Sequence, residues 1–362
     1  MAQPSILRTR SNAKDSQSTI QMPKALAHAV NLSTEILCVD APAGHPRTFL
    51  RRKYVKKRSI IALFAAAMLG LAGCSDPAGS TAGSSQSAAD KKPGTEMPTV
   101  KEAGKETRLE FPKSNPPKGL QKTVIAEGEG RVIEENDFVV ANYVGQVWGN
   151  KKPFDSSFTR GEGTGFSLQQ VIAGWTKGLA GLKPGAKVIL SIPSEMGYGP
   201  QGGNAQAGIG KDDTIAFYVE ILQAYGVNQA GDPNAKVETD VASLPVEITG
   251  ELGKPITVKV KDGVASPTEV STTVIARGSG PEIGGEGSNF YIQYAMSLVN
   301  NSKAEKSYGE SGPIRSTIGR GSIFDGLKGV PVGSRVLIMA PAKGQDANQP
   351  GYAVVVDVLG VD

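Results

Sequence analysis

The sequence predicts an α+β protein in which one domain occurs twice in tandem, and three observations carry that prediction. The first is an internal repeat. Thr123-Val-Ile-Ala-Glu-Gly-Glu-Gly130 recurs as Thr273-Val-Ile-Ala-Arg-Gly-Ser-Gly280, and residues 140–143, 181–193 and 217–222 are echoed at 292–294, 329–341 and 354–359. The offset falls from 150 to 137 toward the C-terminus, so the second copy has shorter loops. Two copies at so long a period mean tandem domains, since a solenoid needs more and shorter repeats. The second observation is period-two alternation in Phe138-Val-Val-Ala-Asn-Tyr-Val144, Lys187-Val-Ile-Leu-Ser-Ile192 and Thr214-Ile-Ala-Phe-Tyr-Val-Glu-Ile-Leu222, the pattern of strands. The third is that helical spacing shows only at 169–179, where Val171, Ile172, Trp175 and Leu179 share a face before Gly181 and Pro184 stop it. One short helix against an antiparallel sheet is an α+β domain.

Ahead of the repeat, residues 51–58 are basic and residues 60–71 form an uncharged apolar run. That run is shorter than the ~20 residues needed to span a bilayer, and it reads as residues 55–73 of a signal peptide. It ends Leu71-Ala-Gly-Cys74-Ser, which resembles the bacterial lipobox and implies that Cys74 becomes the lipidated N-terminus; the plain alternative is an ordinary secretory signal or a buried apolar helix. Residues 1–54 show no sustained period and read either as an over-extended start or as a disordered extension. Residues 74–117, rich in Ser, Gly, Ala, Lys, Glu and Pro, are expected to be a flexible linker. The first domain is then expected at 118–226, a linker at 227–245 and the second domain at 246–362, with extra strands near its start in residues 245–261.

Charge and composition narrow the chemistry. The chain has 362 residues, and its first 73 hold 11 of the 39 Lys and Arg and three of the 35 acids. The remainder, with 28 basic and 32 acidic residues, lacks the clustered basic face of a nucleic-acid partner. Both histidines, His28 and His45, lie in the front segment, as does Cys38. Beyond residue 73 there is no His and one Cys, which excludes His-dependent triads, His-ligated zinc and an internal disulfide there. No metal or cofactor is expected. Carboxylates, hydroxyls, amides and aromatics remain.

Those groups fall into a known order. Tyr143-Val-Gly, Pro153-Phe-Asp-Ser-Ser157, Val171-Ile-Ala-Gly-Trp-Thr-Lys-Gly-Leu179, Gly185, Ile192-Pro193, Gly197-Tyr-Gly199 and Phe217-Tyr-Val-Glu-Ile-Leu222 resemble the FK506-binding-protein type of peptidyl-prolyl isomerase over residues 118–226. The resemblance implies two tandem FKBP-like domains, each a curved antiparallel sheet wrapped on one short helix. It implies that Trp175 floors a proline pocket walled by Tyr143, Phe154, Val171, Ile172 and Phe217. It further implies that Tyr198 hydrogen-bonds a ligand carbonyl, that the Ile172 N–H is a second donor, and that Asp155 faces the twisting amide. Phe166 and Ile209 take the places of a further wall aromatic and an apolar flap residue. The flap, residues 200–213, lacks the family's frequent Ile-Pro-Pro, a departure that bears on substrate preference. In the second copy Tyr294 keeps the tyrosine. Tyr308-Gly309 is expected in place of the Phe-Asp pair, Asp346 in place of Tyr198, Val354 in place of Phe217, and Ile323-Phe324 near the tryptophan position.

Each residue has a plain reading when taken alone: Trp175, Tyr143, Phe154 and Phe217 as core, Asp155 as a turn residue. The joint resemblance outweighs those readings. The implied function is isomerisation of X-Pro bonds in exported proteins, on an outward-facing, lipid-anchored membrane protein. The implied partners are proline-containing unfolded chains and FK506-like macrolides, with no nucleic acid. The competing readings are a proline-segment-binding holdase without turnover and a surface adhesion module of two β-sandwich domains. The single Val-Ile-x-Gly-Trp helix and the missing Cys framework argue against the last.

Overall fold

The computed structural model describes residues 94–319, 321–342 and 350–362. The expectations for residues 1–54 and 55–73, for Cys74 and for Asp346 lie outside the described residues.

Before residue 226 the strands are β1 (Thr99–Lys101), β2 (Arg108–Glu110), β3 (Gln121–Ala126), β4 (Phe138–Val147), β5 (Asp155–Ser156), β6 (Thr164–Ser167), β7 (Lys187–Ile192) and β8 (Ile215–Tyr225). Strands β3, β7, β8, β4 and β5 form one antiparallel sheet in that order, with β6 also paired to β4. The helix is shorter than the 169–179 pattern. It spans Ala173–Leu179 because Ile172 sits in extended backbone at φ −61°, ψ 145°. Gly174 and Gly178 let it lie close on the sheet: a Cβ on Gly174 would stand 2.3 Å from Ile192 Cγ2, and one on Gly178 would stand 2.9 Å from Leu190 Cδ1. Val188, Leu190, Ile192, Phe217 and Val219 face this helix and pack with Trp175 and Leu179.

The opposite face of the sheet is also covered. Strands β1 and β2 pair as a hairpin whose Leu109 packs with Val144, Ile189, Ala216 and Tyr218. The side-chain amide of Gln146 clips it in place, accepting from the Leu109 N–H at 2.5 Å and donating to the Leu109 carbonyl at 3.3 Å. Between residues 94 and 117 the expected linker is therefore corrected to a docked hairpin. Burial on both faces explains why β7 and β8 are almost continuously buried.

After residue 226 the strands are β9 (Lys236–Val237), β10 (Val246–Thr249), β11 (Thr257–Val260), β12 (Ser271–Arg277), β13 (Asn289–Leu298), β14 (Ala304–Lys306), β15 (Ile314–Thr317), β16 (Arg335–Ala340) and β17 (Tyr352–Val361). Strands β14, β13, β17, β16, β12 and β9 form a second sheet in that order, with β15 also on β13. Strands β10 and β11 pair as a hairpin packed over it through Val246, Val258 and Val260. The 227–245 stretch, expected as a linker, contributes β9, paired to β12, and the buried Ala235 and Leu244.

The repeat extends to individual strand registers. Tyr143 opposes Val219 as Tyr294 opposes Val356, and Leu190 opposes Phe217 as Ile338 opposes Val354. The bulge at Val140/Ala141 recurs at Tyr291/Ile292. This register corrects one expectation. Asp155 opposes Gly145, and at the matching place Glu305 opposes Met296, so Ala304-Glu305, not Tyr308-Gly309, stands where Phe154-Asp155 stands. Ser157 and Ser307 fix the alignment, each accepting at 2.8 Å from the backbone N–H of Tyr143 and Tyr294 respectively.

Candidate functional site

The concave face of the first sheet and the start of the helix meet in an aromatic slot. Trp175, on the helix, is 4% exposed. Its ring stands edge-on to Tyr143 of β4, Phe166 of β6 and Phe217 of β8, at centroid distances of 5.5, 5.0 and 5.3 Å. Phe154 stands edge-on to Phe217 at 5.6 Å. Such edge contacts each add about 0.5–1.5 kcal/mol beyond area burial, so the floor is rigid. Phe154, Phe166, Val171, Ile172 and Tyr198 are partly buried around it, while Ile209, within the flap, is buried. The flap loop is closed on itself by reciprocal backbone bonds between Asn204 and Ile209 at 2.8 and 2.9 Å.

Gly145 is required at the side of the slot. A Cβ there would lie 2.6 Å from both the Phe154 and Phe217 rings. All nine apolar and aromatic residues anticipated from the sequence thus belong to one cluster, and Asp155 stands at its edge.

Asp155 does not stand alone. The Tyr143 hydroxyl donates to its Oδ2. Arg160, at the end of the single turn Ser157–Arg160, pairs through Nη1 with Asp155 Oδ1 at 2.6 Å and through Nη2 with the Tyr143 hydroxyl at 2.8 Å. Burial pushes the Asp155 carboxyl up, but the hydrogen bonds from Tyr143 and Arg160 and the Arg160 charge together hold it below its ordinary value. Burial, then the bond to Asp155, raises the Tyr143 phenol to about 12. Burial and the Asp155 charge also raise Tyr198. At neutral pH the slot therefore presents one ionised carboxylate, two protonated phenols and a hydrophobic floor.

Sequence reasoning missed Arg160. It lies five residues beyond Asp155, a separation with no motif attached, and only the need of a half-buried carboxylate for a counter-charge pointed to it. A shallow recess of about 470 Å3 opens elsewhere on the helix, between Glu135, Leu168, Gln169, Thr176 and Lys177, and shares only Val171 with the slot.

The match to a family model falls on this region. A family model described as FKBP-type peptidyl-prolyl cis-trans isomerase matches residues 129–222, which contain every residue of the slot. The FKBP-type peptidyl-prolyl cis-trans isomerase FkpA of Escherichia coli is 41% identical over 141 residues, 38% of this chain and 50% of that protein. The chain thus spans about half the length of that relative. The crystal structure of FkpA from Escherichia coli aligns with 30% of this chain and 49% of its own at 42% identity, with a TM-score of 0.28. A probable FK506-binding protein of Corynebacterium glutamicum is 35% identical over 118 residues, 32% of this chain and 97% of that protein. With nearly the whole of that relative matched by this chain, and the family model lying over residues 129–222, the chain belongs to the FKBP-type peptidyl-prolyl cis-trans isomerase family.

Proposed function

We propose that this protein isomerises X-Pro peptide bonds in the slot of its first domain and assists the folding of exported proteins. The observation that carries the reading is the pairing of a dry aromatic floor, Trp175, with a rim carboxylate, Asp155, kept ionised by Tyr143 and Arg160. Amide resonance sets a barrier of about 18–20 kcal/mol to rotation. No bond breaks, so neither a nucleophile nor a metal is called for. Trp175 supports the proline ring, and Phe154, Phe217, Val171 and Ile172 exclude water from it. Rotation switches off resonance and shrinks the amide dipole, which an apolar slot favours over the planar form. The Asp155 anion acts in the same direction, because it opposes the negative charge that planarity places on the carbonyl oxygen. Tyr198 donates to a carbonyl of the bound segment. Lowering the barrier by roughly 5–8 kcal/mol gives about 10⁴–10⁶ in rate. FK506-like macrolides would compete for the same floor.

In this reading the second sheet belongs to a degenerate FKBP-like domain, residues 246–362. Ala304, Ser316 and Val354 stand where Phe154, Phe166 and Phe217 stand in the first, which removes the aromatic walls, and Ile323-Phe324 lie near the tryptophan position. The first domain, residues 118–226, is carried outward on a lipid anchor at Cys74; an unmodified Cys74 on a membrane-free mature protein, seen by mass spectrometry, would remove that part.

The deciding experiment is proline-limited refolding of a model protein with the full chain and with Asp155→Ala. Acceleration by the full chain, reduced at least tenfold in Asp155→Ala, is the expected result. Binding of unfolded protein without acceleration by either form would make the protein a holdase instead.

A further inference from the structure

We infer that the second sheet braces the segment carrying Arg160, and that Arg315 is a positioning residue for the slot; this rests on the isomerase reading above. Residues 155–167 supply Asp155, Arg160 and Phe166 to the rim, yet short pairings hold them to their own sheet. Strand β5 makes two register pairs with β4 and β6 makes four. Between them, the Gly161 N–H closes the turn on the Ser157 carbonyl at 2.9 Å, and residues 161–163 have no strand partner.

The second sheet reaches into that gap. Arg315, on β15, donates from Nη2 to Glu162 Oε2 at 2.9 Å. The same nitrogen donates to Asp362 Oδ2 at 3.3 Å, and Asp362 Oδ1 accepts from the Tyr291 hydroxyl at 2.7 Å. Arg315 is thus fixed to its own sheet at one end and to the slot's loop at the other. Its side chain is 28% exposed and that of Glu162 is 55% exposed, so solvent screens the pair on the loop side and the hold comes from the anchoring of Arg315 on Asp362.

A wall stands behind the loop. Val140, Tyr225, Tyr291 and Leu359 form one buried cluster between the two sheets, with Phe138 packed against it. The Phe138 ring lies 6.0 Å from Tyr291 on one side, and on the other a Cβ on Gly165 of β6 would stand 2.4 Å from it. The residue after Gly165 is Phe166 of the slot. The Gln223 amide donates to the Val361 carbonyl at 2.7 Å, closing the seam. Without Arg315 the loop can move outward, and Arg160 moves with it, away from Asp155 and Tyr143.

The test uses the full chain. In Arg315→Ala, amides of residues 161–167 should exchange hydrogen at least fivefold faster while β7 and β8 are unchanged. Turnover on a short proline peptide should fall about two- to fivefold, and Arg315→Lys, which keeps the charge, should recover both. Glu162→Gln, on an exposed loop, should reproduce the Ala result from the other side, and it decides the matter if Arg315→Ala does not fold. Wild-type exchange over 161–167 in these variants, or failure of Arg315→Lys to recover what Arg315→Ala loses, would overturn the brace. Faster exchange in Arg315→Ala, beside a wild-type chain that shows no isomerisation, would leave the brace standing and remove the isomerase reading alone.

Discussion

At Asp155 opposing effects compete, and the sign of their sum sets a pH dependence. Burial raises its pKa, the bonds from Tyr143 and Arg160 lower it, and the lowering wins. A carboxyl whose folded value lies below the unfolded one, about 3.9, contributes stability that is present above the unfolded value. That contribution is lost as pH falls through the folded value. Its side chain is 44% exposed, so solvent screens much of that stability, and the clearer readout is activity. With no histidine beyond residue 45, turnover should be flat from about pH 5 to 8 and fall only below the ordinary carboxylate range. Arg160→Leu removes the counter-charge. The acid limb should then move to higher pH, and kcat/KM at neutral pH should drop about tenfold or more, as expected from one lost charge-assisted bond of about 1.5–3 kcal/mol. An unmoved acid limb in a pH–rate profile would show that Arg160 does not tune Asp155. The slot's aromatics were legible because their spacing follows a family order; Arg160 was not, because its partner is chosen by a turn that brings residues five apart together.

The strands expected in residues 245–261 are the hairpin of β10 and β11, whereas the hairpin of β1 and β2 shows how a short element can be hidden in composition. The alternation of β4, β7 and β8 was plain in the sequence, since each runs for six residues or more. Strands β1 and β2 have three residues each, set among Lys, Glu, Gly and Pro, too few for a period to emerge. What fixes them is tertiary. Gln146 presents its amide to Leu109 as a neighbouring strand would, and in the second sheet Asn301 does the same for Val260, accepting at 2.9 Å and donating at 2.8 Å. The repeat unit therefore begins at the hairpin, ahead of where sequence identity makes it visible. Gln146→Leu keeps the buried volume but leaves the Leu109 N–H and carbonyl unpaired, at about 1–3 kcal/mol. Limited proteolysis should then cut within residues 94–117 while the sheet stays resistant. Wild-type protection of that stretch would mean that the apolar contacts of Leu109 suffice without the clip.

On the scale of the whole molecule, the second sheet is built for permanence and the first for access. Arg335 and Asp357 are 3% and 0% exposed and pair at 2.8 Å, with the Tyr308 hydroxyl donating to Asp357 at 2.7 Å. At the matching register the first sheet carries Lys187 and Glu220, a more open pair at 2.9 Å. Asp357→Asn leaves a buried guanidinium without its counter-charge and should cost about 3–5 kcal/mol, visible as a lowered midpoint in thermal unfolding. The same contrast holds on the concave side. Tyr294, Met296, Ile323 and Phe324 are all 3% exposed or less and fill one cluster, so the place of the slot is packed with the domain's own side chains. Glu305 stands where Asp155 does, but Glu310 stands where the sequence offset places Arg160. A carboxylate thus replaces the guanidinium, and both acids raise the Tyr294 phenol, after burial, to about 12. No vacant floor remains for a proline ring, and the acid pairs with Lys303 of its own hairpin rather than with a guanidinium that also holds the tyrosine. A full chain carrying Asp155→Ala and Tyr198→Phe, neither of which removes core volume, should therefore accelerate proline-limited refolding no faster than a blank, with its unfolding midpoint unchanged. Because the apolar floor of the first slot survives in that variant, only residual acceleration that an FK506-like macrolide fails to block would have to arise in the second domain, and that would overturn the assignment of residues 246–362 as non-catalytic.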